Sequence, residues 1–234
     1  MTAKYYRLNG KRITLREYRR MVPDPFTLII IVLTKPFFNL APKMPVTYPE
    51  TLAEIRLEEL PESVERSLLR QVKKFEADGY RISLVYEIPL LDEKNLTVSV
   101  VLISSDGFSL AHVVYIGVGP QSEIAMTVGH FHDDGDYSIV TTKKQELDLI
   151  SGRNVLRRKG ASVEDIIDDY DQIYDEWLDK GDTPVPLNDN NLRVLVLDME
   201  RRNADSLIER GVWVPMTAKE LAKYGIDPDD PDGE

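Results

Sequence analysis

Between residues 80 and 143 the chain alternates apolar and polar residues in short runs separated by tight-turn dipeptides, and this pattern restricts the fold more than any other feature. Ile82, Leu84, Tyr86 and Ile88 alternate with Arg81, Ser83 and Glu87, as in a half-buried strand. Further runs at roughly 96–105, 108–117, 122–132 and 136–143 read as strands. Asp106-Gly107 and Asp134-Gly135 stand between runs, and Asp-Gly is a strong hairpin signal because glycine accepts the positive φ that such turns need. Connections this short leave no room for helical crossovers. The expected fold is therefore α+β, an antiparallel meander of about five strands packed against amphipathic helices. No Gly-rich loop follows a strand, which counts against nucleotide-binding α/β folds.

The helices are marked by their ends. Pro61, Glu62 and Glu65 at the start, Lys73 and Lys74 at the finish and Gly79 just beyond predict a helix over roughly 61–78. Val64, Leu68, Leu69, Val72 and Phe75 form its apolar stripe. Ser162 caps a second helix, closed by Gly181, whose inner face is Val163, Ile166, Ile167, Tyr170, Ile173, Tyr174 and Trp177. Its outer face carries Glu164, Asp168, Asp171, Asp175 and Asp179, like charges one turn apart that are mildly unfavourable unless neutralised. A solvated face is the ordinary explanation of such a stripe, and a docking surface for a basic partner the functional one. A third helix, preferred over a short strand at 192–197, is expected to start near Asn188 or Asp189 and run to Arg210. Thr217 with Glu220 predicts a last short helix to about Tyr224.

The formal net charge of −11 is unevenly spread. Lys4, Arg7, Lys11, Arg12, Arg16, Arg19 and Arg20 crowd the start, while the chain from Glu164 onward is rich in Asp. Net acidity makes nucleic acid a poor partner for the whole protein. Asn9-Gly10 suggests a small hairpin joining residues 5–8 to 11–14, and Thr14 with Glu17 a capping box for a short basic helix from Leu15 to Met21. The most apolar stretch follows, from Phe26 to Leu33, and continues through Lys35, Pro36, Phe37 and Phe38 to Ala41. It reads first as a strand buried on both faces, and second as a membrane-touching segment through Phe26, Ile30, Phe37 and Phe38. It is too short for a span, which needs about 20 apolar residues. The expected organisation is a basic arm with its apolar segment over 1–47, an α+β core over 48–226 and a disordered acidic tail over 227–234.

The chain has no cysteine, so disulfides, thiolate metal sites and thiol nucleophiles are excluded. Without a cleavage site after the apolar run, the expected location is the cytoplasm or the inner face of a membrane. The one segment with catalytic potential is His130-Phe131-His132-Asp133-Asp134-Gly135-Asp136. Alternation puts both histidines on one strand face, where they could share a metal such as zinc. The third ligand would be Asp133, with Asp136 or the distant His112 as substitutes. The competing explanation is an ordinary hairpin tip, and no cofactor is expected.

Leu60-Pro61, a helix ending at Gly79-Tyr80, the meander, the Phe131-x-Asp133-x-Gly135 turn followed by Thr141-Thr142, and the segment from Glu200 to Gly211 together resemble a pattern found in uncharacterised bacterial proteins. In those proteins a hydrophobic N-terminal segment precedes a compact α+β domain. The resemblance covers roughly residues 48–217; it implies a membrane-proximal domain and supplies no activity or catalytic residue. This chain departs from the pattern in its shorter apolar run, the basic residues before it and Lys35 within it.

The functional expectation is a non-catalytic interaction or assembly protein. Its contact surfaces would be the basic arm (Arg12, Arg16, Arg19, Arg20) and the acidic helix (Asp168, Asp171, Asp175, Asp179), with a protein partner or a second copy, and membrane contact through the apolar segment. A metal-dependent hydrolase centred on His130 and His132, and a small-ligand carrier with a pocket between sheet and helices, are the alternatives.

Overall fold

The computed structural model describes residues 4–22, 24–35, 45–88, 95–118, 121–144, 147 and 152–227. In chain order the elements are β1 (Tyr5–Leu8), α1 (Leu15–Met21), α2 (Pro25–Thr34), β2 (Pro45–Thr47), β3 (Ala53–Glu54), α3 (Glu62–Ala77) and β4 (Arg81–Ile88). They continue with β5 (Asn95–Ile103), β6 (Leu110–Val118), β7 (Gln121–Phe131), β8 (Tyr137–Thr141), β9 (Asn154–Arg157), α4 (Val163–Asp179), α5 (Asp189–Glu209), β10 (Trp213–Pro215) and α6 (Ala218–Leu221).

The main sheet has the order β3-β4-β5-β6-β7-β8-β9. Strands β4 to β8 are the antiparallel meander that the alternation predicts. The sheet is nevertheless mixed and has seven strands, because β3 adds antiparallel to β4 and β9 adds parallel to β8. Both additions are too short for a legible period. Ala53 and Glu54 are exposed, and the four residues of β9 hold their place through backbone bonds to β8.

Both faces of the sheet are covered. Val98, Val100, Leu102, Val113 and Val128 lie beneath α3 and α4, packed on Leu68, Val72, Phe75, Ile166 and Tyr170. On the opposite face Leu84, Tyr86, Val101, Ile103 and Leu110 pack against Leu192 and Val196 of α5. The central strand β5 is accordingly buried along most of its length. Helix ends follow their capping residues: Thr14, Ser162, Asn188 and Thr217 each accept from the third helical N–H.

The N-terminal arm differs from expectation in two ways. First, residues 11–14 do not pair with β1. Instead β1 lies between β2 and β10, antiparallel to both, so the arm is hydrogen-bonded to the chain's far end. Asn9 N–H donates to Val212 C=O at 2.7 Å, which takes up the donor that the hairpin would have used. Second, the apolar run is helical, not a buried strand. Asp24 accepts from Thr27 N–H and Pro25 occupies the first turn, so N-terminal signals override the β-branched composition. Leu28 and Ile31 pack onto Ile13, Tyr18, Leu207 and Val212. Glu17, fully buried, pairs with Arg210 of the α5 C-cap at 2.5 Å and ties α1 to that helix. Phe37 and Phe38, with the rest of 36–44, lie outside the described residues, as do positions 228–234 of the expected acidic tail.

Gly129 sets the approach of β8 to β7. A β-carbon there would meet Ser138 C=O at 2.3 Å and Ile139 Cγ2 at 2.6 Å, and backbone cannot give way as a flexible side chain can. Gly129→Ala is expected to lower unfolding free energy by about 1–3 kcal/mol, as overpacking does, and denaturant titration measures it.

Candidate functional site

His130, near the end of β7, is directly opposite Ser138 on β8, and His132 follows two residues on with the same facing. The turn between the strands is closed by His132 N–H to Asp136 C=O at 2.8 Å and by Gly135 N–H to His132 C=O at 2.9 Å. Helix α4 crosses above. It ends at Gly181 in the left-handed region (φ 96°), where a β-carbon would be strained. The chain then runs back along β7, with a bridge between His132 and Pro184 and a bond from Val185 N–H to Phe131 C=O at 3.0 Å. That reversal delivers Asp182 to the two histidines.

The three side chains form a dry cluster: His130 and His132 are fully buried and Asp182 is 5% exposed. One ligating atom from each lies within 4.8 Å of the others. Asp182 Oδ2 is 3.4 Å from His130 Nε2 and 3.6 Å from His132 Nε2. Ser138 donates its hydroxyl to Asp182 Oδ2 at 2.6 Å, and Asn154 Nδ2 donates to the same oxygen at 3.0 Å. Thr183 N–H faces His132 Nδ1 at 3.4 Å, so that nitrogen accepts and the ring proton sits on Nε2, which donates to Ser138 Oγ at 2.9 Å. His130 Nδ1 bonds the Tyr170 hydroxyl at 2.9 Å. Arg153 closes the edge, 2.7 Å from Asp134 and 3.8 Å from Asp182.

The charges follow the burial. Desolvation, then the neighbouring His132, pulls His130 down to about 4 against the attraction of Asp182. Desolvation lowers His132 as well, again opposed by Asp182. For Asp182 burial works upward, but the bonds from Ser138 and Asn154 and the two imidazoles outweigh it and hold the carboxyl below its usual range. The result is one carboxylate served by neutral donors. Such a cluster could hold a cation through His130 Nε2, His132 Nε2 and Asp182, at the expense of the bond from His132 to Ser138. Although serine, histidine and aspartate meet here, the carboxylate engages the serine and not the histidine, so the relay of a nucleophilic triad is not built.

Asp133 lies apart, exposed, accepting from Thr183 Oγ1 at 3.2 Å. The acid brought to the histidines is Asp182, fifty residues along the chain, and nothing local in the sequence marks it beyond its place after a helix-stopping glycine. His112 is on the other face of the sheet, aligned with Val101 and Thr127. Arg12, Arg16 and Arg19 are exposed on the arm and Arg20 is half-buried; burial, and to a lesser degree the charge of Arg20, lowers the proton affinity of Arg157. Asp168, Asp171, Asp175 and Asp179 are exposed on α4. Among the described residues the arm packs on α5 and β10, whereas the cations paired with α4 carboxylates are Lys74 with Glu164, Arg158 with Asp169 and Lys180 with Glu176.

No family model matches the chain, and no curated protein and no solved structure matches it.

Because His130 is depressed from its ordinary 6.5 to about 4, the unfolded chain takes up protons first as pH falls. The stability tied to its neutral form is complete above the unfolded value and is lost as pH drops from 6.5 toward 4. The expected slope from this residue approaches ~1.4 kcal/mol per pH unit inside that window. Unfolding midpoints across pH should show it, and His130→Gln should flatten the slope while lowering stability at neutral pH.

Proposed function

We propose that the protein is a non-catalytic, peripheral membrane-attached interaction protein that lays the α1–α2 hairpin on an anionic lipid surface. The observation that carries this reading is α2 itself. Apart from two threonines and its first-turn proline it is apolar on every side, yet Phe26 (75%), Ile29 (56%), Ile30 (59%), Val32 (42%) and Leu33 (67%) stand in solvent, with Leu15 of α1 exposed beside them. A helix of that kind belongs in a core or in a hydrocarbon boundary. No helix among the described residues is long and apolar enough to cross a membrane, so the fitting mode is insertion at the interface.

Two contributions act together. Each half-exposed apolar side chain gives on the order of 1 kcal/mol on burial, which leaves the sum close to the cost of immobilising the protein. The exposed Lys11, Arg12, Arg16 and Arg19 add about 1 kcal/mol each near an anionic surface. Orientation follows from charge as well, because acidic α4 covers the other face of the sheet and is repelled by such a surface. That leaves Asp168, Asp171, Asp175 and Asp179 pointing away from the lipid, accessible to a basic protein partner.

The hydrolase alternative has weaker support. Its histidines and Asp182 are sealed from solvent, and of their ligating atoms only His130 Nε2 is without a hydrogen bond, whereas a catalytic metal needs an open position. Elemental analysis of the purified protein is expected to find no stoichiometric metal that His130→Ala removes.

Co-sedimentation with phosphatidylglycerol vesicles tests the membrane reading. The Ile29→Glu/Ile30→Glu variant should bind at least about tenfold more weakly at unchanged fold, and Arg16→Glu/Arg19→Glu should remove the preference for anionic over zwitterionic vesicles. Wild-type protein that stays in the supernatant, or binding indifferent to both pairs, would overturn it.

A further inference from the structure

On the α5 side of the sheet lies a cleft of about 810 Å³ that the membrane reading does not use. Its floor is made by Val101, Leu110, Val114 and Ile139, and its roof by Val196 and Met199 of α5. The volume is within the ~300–1,000 Å³ typical of small-ligand sites, and an apolar lining with a few convergent polar groups is their usual character.

The polar groups converge at one place. His112 on β6 stacks on Tyr86 of β4 at 6.3 Å between ring centres, and the Tyr86 hydroxyl donates to Glu200 of α5 at 3.3 Å. His112 Nε2 is buried with no hydrogen-bond partner among the described residues, although a buried polar atom without a partner is costly. Lys143, exposed at the end of β8, is close enough to depress His112 further and to oppose the rise of Glu200. Lys144 and Arg157 line the same side, and Arg157 donates to Lys143 C=O at 3.2 Å. The cleft also carries Glu87 and Glu123, on β4 and β7.

We infer that this cleft binds a single-chain amphiphile with a carboxylate head. The head sits between the Lys143 ammonium and His112 Nε2, and the alkyl chain lies along the floor beneath α5. A carboxylate supplies an acceptor for the unpartnered imidazole nitrogen and an anion for Lys143 to hold. Enclosure supports the same choice. Burial, then Lys143, takes His112 down to about 3, and burial raises Glu200 despite Lys143 and Tyr86. His112 therefore brings no charge, burial disfavours one on Glu200, and Lys143 supplies the recognition. An alkyl cation would meet Lys143 with like charge, and a neutral alcohol would use the chain contacts alone.

Titration of the full-length protein with palmitate, and with hexadecanol as the neutral comparison, tests the inference by calorimetry. Lys143→Glu, at an exposed position, should weaken palmitate at least about tenfold and leave hexadecanol unchanged. His112→Phe, which keeps the stack on Tyr86, should weaken palmitate about fivefold. Met199→Trp should fill the cleft and remove both ligands, with circular dichroism confirming the fold. The Ile29→Glu/Ile30→Glu variant separates this site from the membrane surface, since it should lose vesicles and keep palmitate. Absence of palmitate binding, or binding that survives Met199→Trp and Lys143→Glu, overturns the inference. Palmitate lost only with Ile29→Glu/Ile30→Glu places the ligand on α2 and overturns it equally.

Discussion

Double-sided burial of the meander is the constraint from which the other features follow. Once α3 and α4 cover one face and α5 the other, polar side chains on the central strands have no water and must be satisfied by protein, by a ligand or at a cost. The two faces answer differently. Beneath α4, His132 Nε2 bonds Ser138 and His130 Nδ1 bonds Tyr170, while His130 Nε2 has no hydrogen-bond partner among the described residues and lies 3.4 Å from the Asp182 carboxylate. Beneath α5, His112 Nε2 also lacks a partner among the described residues, and no carboxylate pairs with it there. Desolvation lowers the proton affinity of His112 and of His130.

The buried cluster does mechanical work. Asp182 follows the end of α4, Ser138 belongs to β8 and Asn154 to β9, so one carboxylate joins the helix terminus to the sheet edge where the parallel strand is added. Arg153 ties the hairpin turn to the same point through Asp134. Protonating a member of such a buried network leaves a partner unserved, so the cluster is sensitive to pH.

The arm has a comparable anchor in the ion pair of buried Glu17 with Arg210, which fixes α1 to the end of α5. With α1 held there, α2 can seat only Leu28 and Ile31 on the protein and must present its remaining apolar side chains outward. Leu207, which packs with Leu28 and Ile31 of α2, also lines the α5-side cleft, so the exposed helix and the cleft share one side of the molecule. A protein resting on lipid through α2 would thus hold that cleft near the source of an amphiphile.

The sequence by itself determined whatever depends on neighbours in the chain. Strand alternation and Asp-Gly turns gave β4 to β8, capping residues gave the helix starts at Thr14, Ser162, Asn188 and Thr217, and alternation put His130 and His132 on one face. These are effects of local geometry, and their periods survive in a linear text. Tertiary structure alone decided the rest: the parallel β9, the capture of β1 by β10, the helical state of 25–34, the arrival of Asp182 beside the histidines and the meeting of Tyr86 with His112 and Glu200. Each joins residues far apart in sequence or weighs two local signals against each other. Such choices are made by which surfaces exclude water together, and no window along the chain records that.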